Sequence, residues 1–178
     1  MFEYAGNFHI HSKYSDGAAT IKEITYDANH AGLDFIVVTD HFNMKGLYNK
    51  EETYRLGVLV LVGMEINNTC NHYLALGIDR EIDDDVDNPQ KVVDEVNQQN
   101  GIGVIAHPVE KGSPLFQYGR TYEWNNWSVA GFQGIEIWNF LSQWRDGVTG
   151  ILKGLYLLIN PHAALTGPYK KTMAILDK

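Results

Sequence analysis

The run from Leu33 to Thr39, with the sequence LDFIVVT, constrains the fold more than any other feature of the chain. A nearly uninterrupted apolar run of this length is typical of a β-strand that is buried on both faces. A helix signal precedes it, because Thr20 and Glu23 have the spacing of a capping box. Gly32 lies where that helix is expected to end. The segment therefore predicts a helix followed by a buried strand.

The same alternation continues along the chain. The predicted strands are Phe8–His11, Leu33–Thr39, Val58–Ile66, Tyr73–Ile78, Gly103–Ala106 and Gly134–Trp138. The predicted helices begin at Thr20, at Tyr48 (a weak candidate that ends at Leu56) and at Asn88–Pro89. Strands that alternate with helices predict an α/β fold with a mainly parallel sheet, and Val58–Ile66 with Tyr73–Ile78 predict one hairpin. Spacing leaves open whether the sheet closes into a barrel, and 178 residues fit a single domain.

Charge and cysteine content restrict the partners. The formal net charge is -8, from 14 basic and 22 acidic side chains, which disfavours broad binding of duplex nucleic acid. A small phosphorylated substrate remains compatible, because bound cations reverse the local sign of charge. Cys70 is the single cysteine, so no intrachain disulfide can form. No secretory signal and no apolar run long enough for a bilayer are seen, so we expect a cytoplasmic protein without membrane contact. Its oligomeric state is left open.

Side chains that bind metals recur at the expected strand ends. They are His9, His11, Asp16, Asp40, His41, Glu65, His72 and His107. Residues two apart on a strand point to the same face, and the carboxyl ends of parallel strands are where sites form in α/β folds. Carboxylates gathered there repel one another unless a cation is present. Mixed nitrogen and oxygen ligands favour zinc, iron or manganese over calcium or magnesium.

Six motifs in order resemble the PHP (polymerase and histidinol phosphatase) superfamily. They are His9-x-His11-Ser12, Ser15-Asp16-Gly17, Thr39-Asp40-His41, Gly63-x-Glu65, His72 and Ala106-His107-Pro108. The resemblance covers at least residues 7 to 108. It implies a distorted TIM-like barrel of seven βα units with a site for two or three divalent metal ions.

The ligand set that the resemblance implies has three parts. His9, His11 and Glu65 would hold a first metal, and Glu65 would bridge to a second metal held by His72 and His107. Asp16 and His41 would bind a third. The family pattern ends in a Gly-x-Asp-x-His motif that is not found here, since His162 lacks the preceding Asp. The chain stops at Leu176-Asp177-Lys178, inside an apparent amphipathic helix, so we expect a barrel that is incomplete at the C-terminus.

The implied activity is hydrolysis of a small phosphomonoester or nucleotide, with a short single-stranded oligonucleotide as a further substrate. A hydroxide shared between two metals would attack phosphorus. Asp40 or His41 would protonate the leaving oxygen, although Asp40 has an alternative role in orienting a ligand imidazole. Arg120 is a better candidate than Arg145 for clamping the phosphate. Two other functions stay open: a non-catalytic metal-bound scaffold or regulatory module, and a metal-dependent amidohydrolase.

Overall fold

The computed structural model describes residues 1–176, and the chain divides into two compact units. Unit 1 comprises Met1–Asn67, Tyr73–Gly103 and Val129–Gln133, and unit 2 comprises Asn68–His72, Val104–Ser128 and the chain from Gly134 onward. The expectation of a single domain stays a prediction. The last two residues of the predicted C-terminal helix, Asp177 and Lys178, lie outside the described residues.

Unit 1 is built on a sheet with parallel strands at its centre. Its strands are β1 (Gly6–Ile10), β2 (Phe35–Val38), β3 (Thr53–Arg55), β4 (Val58–Ile66) and β5 (Tyr73–Leu76). Strand β2 pairs in parallel with both β1 and β4, whereas β3 and β5 are each antiparallel to β4. The predicted hairpin of β4 and β5 is therefore confirmed, and so is the α/β class. The seven-unit barrel stays a prediction.

Unit 1 has three helices among the described residues. They are α1 (Ile21–His30), the short α2 (Lys45–Tyr48) and α3 (Pro89–Gln98). Helix α1 packs on the sheet through its apolar residues. The capping box of α1 is confirmed, because the Glu23 amide donates to the Thr20 hydroxyl and the Thr20 amide donates to the Glu23 carboxylate. Ile21 and Ala28 of α1 join Ile36, Val38 and Val60 in one buried cluster. All three residues Ile36 to Val38 are fully buried, which confirms that β2 is covered on both faces.

The helix predicted from Tyr48 to Leu56 is wrong. Helix α2 ends at Tyr48, and Thr53–Arg55 form β3 instead. Lys50 has a φ of 58°, which is incompatible with continuing the helix. Leu56 and Gly57 both have positive φ, at 52° and 80°, as a two-residue hairpin turn requires. Pairing with β4 thus overrides the weak helical pattern of this segment.

Unit 2 carries less sheet and more helix than the sequence predicts. The end of β6 (Ile102–Ile105) pairs in parallel with β7 (Gly134–Ile135). The strand predicted as Gly134–Trp138 is therefore much shorter than expected. Strand β6, with which it pairs, ends at Ile105, and the chain turns at His107, which has a positive φ of 23°. Three helices follow: α4 (Phe140–Gly147), α5 (Ile151–Ile159) and α6 (Lys170–Leu176). Of these, α4 and α5 were not predicted.

Through residue 176, every helix is too short or too polar to cross a lipid bilayer.

Replacement of a β2 side chain by alanine tests the core of unit 1. We expect Ile36→Ala to lower the free energy of unfolding by about 2–5 kcal/mol, because a fully buried side chain leaves a cavity. Leu59→Ala on β4 is the matched control, since Leu59 is 40% exposed and its loss should cost less than about 1 kcal/mol. Both values come from urea denaturation followed by circular dichroism. Equal losses in the two variants would contradict the assigned faces.

Candidate metal centre

The ends of three parallel strands bring histidines and a glutamate together in unit 1. His9 lies on β1, and His11 follows two residues later on the same face. His41 follows β2 and forms an isolated parallel bridge with Glu65 of β4. This bridge fixes the register, because the Phe42 amide donates to the Glu65 carbonyl and the Glu65 amide donates to the Asp40 carbonyl. The sheet therefore places these side chains at one edge.

Two imidazoles converge on one oxygen of Glu65. The Nε2 atoms of His9 and His11 lie 3.0 Å and 2.9 Å from Glu65 Oε2, and 3.0 Å from each other. Glu65 is 1% exposed, so its carboxylate needs compensation by positive charge or hydrogen bonds. Adjacent ligands held about 2.0–2.2 Å from one metal ion lie roughly 3 Å apart. The donor types and their spacing both fit a divalent cation.

A second group shares His11 with the first. His11 Nδ1 lies 2.9 Å from Asp16 Oδ1, and His41 Nε2 lies 3.8 Å from Asp16 Oδ2. One ligand atom from each of these three residues lies within 4.8 Å of the others. His41 Nδ1 also lies 3.5 Å from Glu65 Oε2. Because the Asp16 side chain is 70% exposed, this group faces solvent, whereas Glu65 lies in the interior.

Asp40 fastens the loop that carries His11 and Asp16. Its carboxylate accepts hydrogen bonds from the Ser12 amide at 2.7 Å, from the Ser12 hydroxyl at 2.6 Å and from the Ser15 hydroxyl at 2.6 Å. Asp40 is 3% exposed. These contacts are made to the loop, so they favour the orienting role over proton donation. The catalytic role of Asp40 stays a prediction.

Gly17 ends this loop because no side chain fits at its position. A Cβ there would lie 2.0 Å from the carbonyl oxygen of His11, far inside van der Waals contact. The amide of Gly17 instead donates to the Ser12 carbonyl at 3.0 Å. The Ser-Asp-Gly motif is thus explained by a tight turn that folds Asp16 back beside His11.

His72 and His107 lie together in unit 2. Their ring centroids are 5.1 Å apart, and the Ala106 amide donates to the His72 carbonyl at 3.1 Å. The His107 amide donates to the Glu136 carboxylate at 2.8 Å. These contacts fix both histidines beside the end of β6. Their expected sharing of a metal with Glu65 stays a prediction.

Arg120 is exposed and stacks on an aromatic ring in unit 2. Its guanidinium carbon lies 5.2 Å from the centroid of the Tyr122 ring. The same ring lies 5.0 Å from the His72 ring and 5.4 Å from the guanidinium carbon of Arg145. Such stacking fixes a guanidinium while leaving its N–H groups free to bind an anion. The expected role of Arg120 in phosphate binding stays a prediction.

Glu110 is a buried carboxylate of unit 2 that was not predicted from the sequence. It forms an ion pair with Arg145 at 2.6 Å, accepts from the Ser142 hydroxyl at 2.6 Å and accepts from the Tyr122 amide at 2.6 Å. In addition, Nδ1 of His107 lies 3.5 Å from Oε1 of Glu110. The only signal in the sequence is the spacing of three residues from His107, which is too common to be informative alone.

The surroundings of Glu110 change its acidity. Burial alone would raise the pKa of Glu110, but the positive charge that His107 can carry, the hydrogen bonds from Ser142 and Tyr122, and the charge of Arg145 together outweigh it. The pKa of this carboxyl therefore lies below its ordinary value of 4.5. Glu110 is held as a carboxylate.

The histidines and carboxylates at the ends of the parallel strands form a candidate metal centre in an α/β protein. The PHP domain model matches residues 7–149 of the chain. The chain belongs to the PHP domain family, as its six motifs predict.

Three known proteins illustrate the similarity. The chain is 24% identical over 156 residues to the uncharacterized protein MJ1587 of Methanocaldococcus jannaschii, a match that covers 80% of this chain and 84% of that protein. It is similar in structure to a Bifidobacterium adolescentis protein with the provisional name of metal-dependent phosphoesterase, at a TM-score of 0.57 and 14% identity, over 90% of this chain and 84% of the other. The chain is also similar in structure to an amidohydrolase of Chromobacterium violaceum, at a TM-score of 0.51 and 17% identity. This match covers 74% of this chain and 76% of the other.

A fourth match is only partial. A two-domain protein of Bacteroides vulgatus, which contains a PHP-like region provisionally assigned as a metal-dependent phosphoesterase, has a TM-score of 0.47 and 24% identity. The match covers 59% of this chain and 35% of that chain. The chain thus spans about a third of that protein's length.

The depressed pKa of Glu110 predicts an acid-dependent loss of stability. Its folded-state pKa is below 4.5, so the stabilisation is complete above about pH 4.5 and is lost as the pH falls below that value. We expect Glu110→Gln to lower the melting temperature at about pH 7, and we expect the gap from wild type to narrow below about pH 4.5. Calorimetry over this range measures both. A gap that is independent of pH would contradict the assignment.

Proposed function

We propose that this protein is a metal-dependent phosphoesterase. The observation that carries the proposal is the convergence of His9 and His11 on one buried oxygen of Glu65, at 3.0 Å and 2.9 Å. Membership of the PHP domain family supports it, as does the provisional phosphoesterase name of the Bifidobacterium adolescentis structural neighbour. The seven-unit barrel and the cytoplasmic location belong to the same proposal.

The residues that would hold the first metal are His9, His11 and Glu65. Asp16 and His41 would hold another, and His72 and His107 of unit 2 are the remaining proposed ligands. We propose two or three divalent ions, with zinc, manganese or iron as candidates because the donors mix nitrogen and oxygen. When bound, such ions activate water and neutralise charge on phosphate oxygens.

The chain's own residues set the geometry for this chemistry. Asp40 holds the loop between His11 and Asp16 through its three hydrogen bonds to Ser12 and Ser15. We assign Asp40 as a positioning residue on this basis. His41 lies at the solvent-facing end of the cluster, beside the exposed Asp16, where a substrate oxygen can approach. As the alternative to its role as a metal ligand, we propose that His41 orients the leaving oxygen and supplies its proton.

The substrate we propose is a small phosphomonoester or a nucleotide, with a short single strand as the largest candidate. The formal net charge of -8 repels an extended polyanion, whereas a single phosphate group is attracted by local cations. Arg120 is the proposed phosphate-binding side chain of unit 2, because its guanidinium is exposed and already fixed over Tyr122.

Removal of both β1-end histidines tests the proposal. We expect His9→Ala/His11→Ala to lower metal affinity by more than about 100-fold and to abolish phosphate release, because two ligands of one ion are lost. Metal content is measured by mass spectrometry after dialysis, and turnover is measured with an aryl phosphate in manganese, zinc and iron. His30→Ala is the matched control, since His30 is an exposed residue of α1 that contacts only the Tyr26 carbonyl and ring among the interactions described here.

The outcomes separate the functions. Full metal content and turnover in the double variant would contradict the proposed centre. Wild-type protein that binds metal yet hydrolyses no phosphate ester with any of the three ions would favour a non-catalytic scaffold. Hydrolysis of an N-acyl substrate in place of a phosphate ester would favour an amidohydrolase.

A further inference from the structure

The buried Glu110 carboxylate has four polar neighbours. Oε2 lies 2.6 Å from the Tyr122 amide and 2.6 Å from Arg145 Nη2. Oε1 lies 2.6 Å from the Ser142 hydroxyl and 3.5 Å from His107 Nδ1. A carboxylate has about four lone-pair sites. Three neighbours lie at 2.6 Å, and His107 lies at ion-pair distance beside the fourth site. Glu110 is therefore poorly placed to bind a metal ion itself.

Helix α4 contacts both the side chain of Glu110 and the backbone of the two residues that follow it. Asp146 accepts hydrogen bonds from the amides of Lys111 and Gly112, both at 2.9 Å, and from the Tyr169 hydroxyl at 2.9 Å. Ser142 and Arg145 of the same helix hold the Glu110 side chain. One helix thus fixes both the backbone and the carboxylate. The position of the Glu110 carboxylate relative to His107 is therefore well defined.

The fourth polar neighbour of Glu110 is the imidazole of His107. The ring has two distinct nitrogens, and a hydrogen bond made by one determines which nitrogen remains available to a metal. The carboxylate of Glu110 can only accept, so a neutral His107 ring is stabilised with its proton on Nδ1. Its Nε2 then keeps an unshared electron pair directed away from Glu110. The 2.6 Å contact with Arg145 compensates the charge of the carboxylate.

We propose that Glu110 is a positioning residue that holds the proton of His107 on Nδ1 and so selects Nε2 as the metal-binding nitrogen. The inference rests on the proposed function only in taking His107 as a metal ligand. Ligand histidines commonly donate their second ring N–H to a carboxylate or carbonyl, which fixes the ring and raises its basicity. In this chain Glu110 is a carboxylate at ion-pair distance, 3.5 Å, from Nδ1 of His107.

The tautomer of His107 in the metal-free wild-type protein tests this directly. Long-range proton–nitrogen NMR spectra distinguish the two neutral tautomers, and the His107 signals are those that disappear in His107→Gln. We expect the proton on Nδ1 at a pH where the ring is neutral. A proton on Nε2 would overturn the proposal. This measurement needs neither metal nor activity, so it is independent of whether the protein is a phosphoesterase.

Glu110→Gln provides the second test. We expect its affinity for added manganese or zinc to fall about 10–100-fold and the Nδ1 tautomer to lose its dominance, because the amide accepts less strongly and can also donate. The matched control is Glu123→Gln in the same unit, which removes an equal charge from an ion pair with Lys171 at 3.6 Å. We expect less than about threefold change there.

Two results would contradict the positioning role. One is wild-type metal affinity with an unchanged tautomer in folded Glu110→Gln. The other is an equal loss of affinity in both variants, which would show a general effect of charge. If Glu110→Gln does not fold, the wild-type tautomer decides the question alone.

Discussion

The site in unit 1 depends on one buried oxygen, Oε2 of Glu65. His9, His11 and His41 approach this atom at 3.0, 2.9 and 3.5 Å, and they arrive from the ends of two different strands. A carboxylate that is 1% exposed is costly unless positive charge or donors surround it. The parallel pairing of β1, β2 and β4 brings that compensation to it. The candidate metal centre therefore depends on the order of the strands.

The surrounding structure limits how far the ligands can move. The apolar residues of β2 are fully buried, so the strand that leads to Asp40 and His41 is held from both faces. Asp40 in turn holds the neighbouring loop in place through its hydrogen bonds to Ser12 and Ser15. In unit 2, α4 holds Glu110 in a comparable way. Each case uses a buried carboxylate to order polar segments near a histidine.

The parts of the fold that depend on local pattern were predictable from the sequence. The capping box at Thr20, the buried run of β2 and the hairpin of β4 and β5 are all encoded in short segments. Strand β3 was not predictable, because its structure depends on pairing with β4 and on positive φ angles at Lys50 and Leu56. Glu110 was missed because its partners Ser142 and Arg145 lie more than thirty positions away, so no local motif identifies them. Membership of the family was predictable, since ligand motifs follow strand ends.

The most direct test of the metal centre is the position of a bound ion. Crystals of the wild-type protein grown with manganese, measured at a wavelength where manganese scatters anomalously, would locate it. We predict an anomalous peak in contact with Nε2 of His9, Nε2 of His11 and Oε2 of Glu65. An ion bound only elsewhere, or no ion at a manganese concentration that supports turnover, would contradict the account.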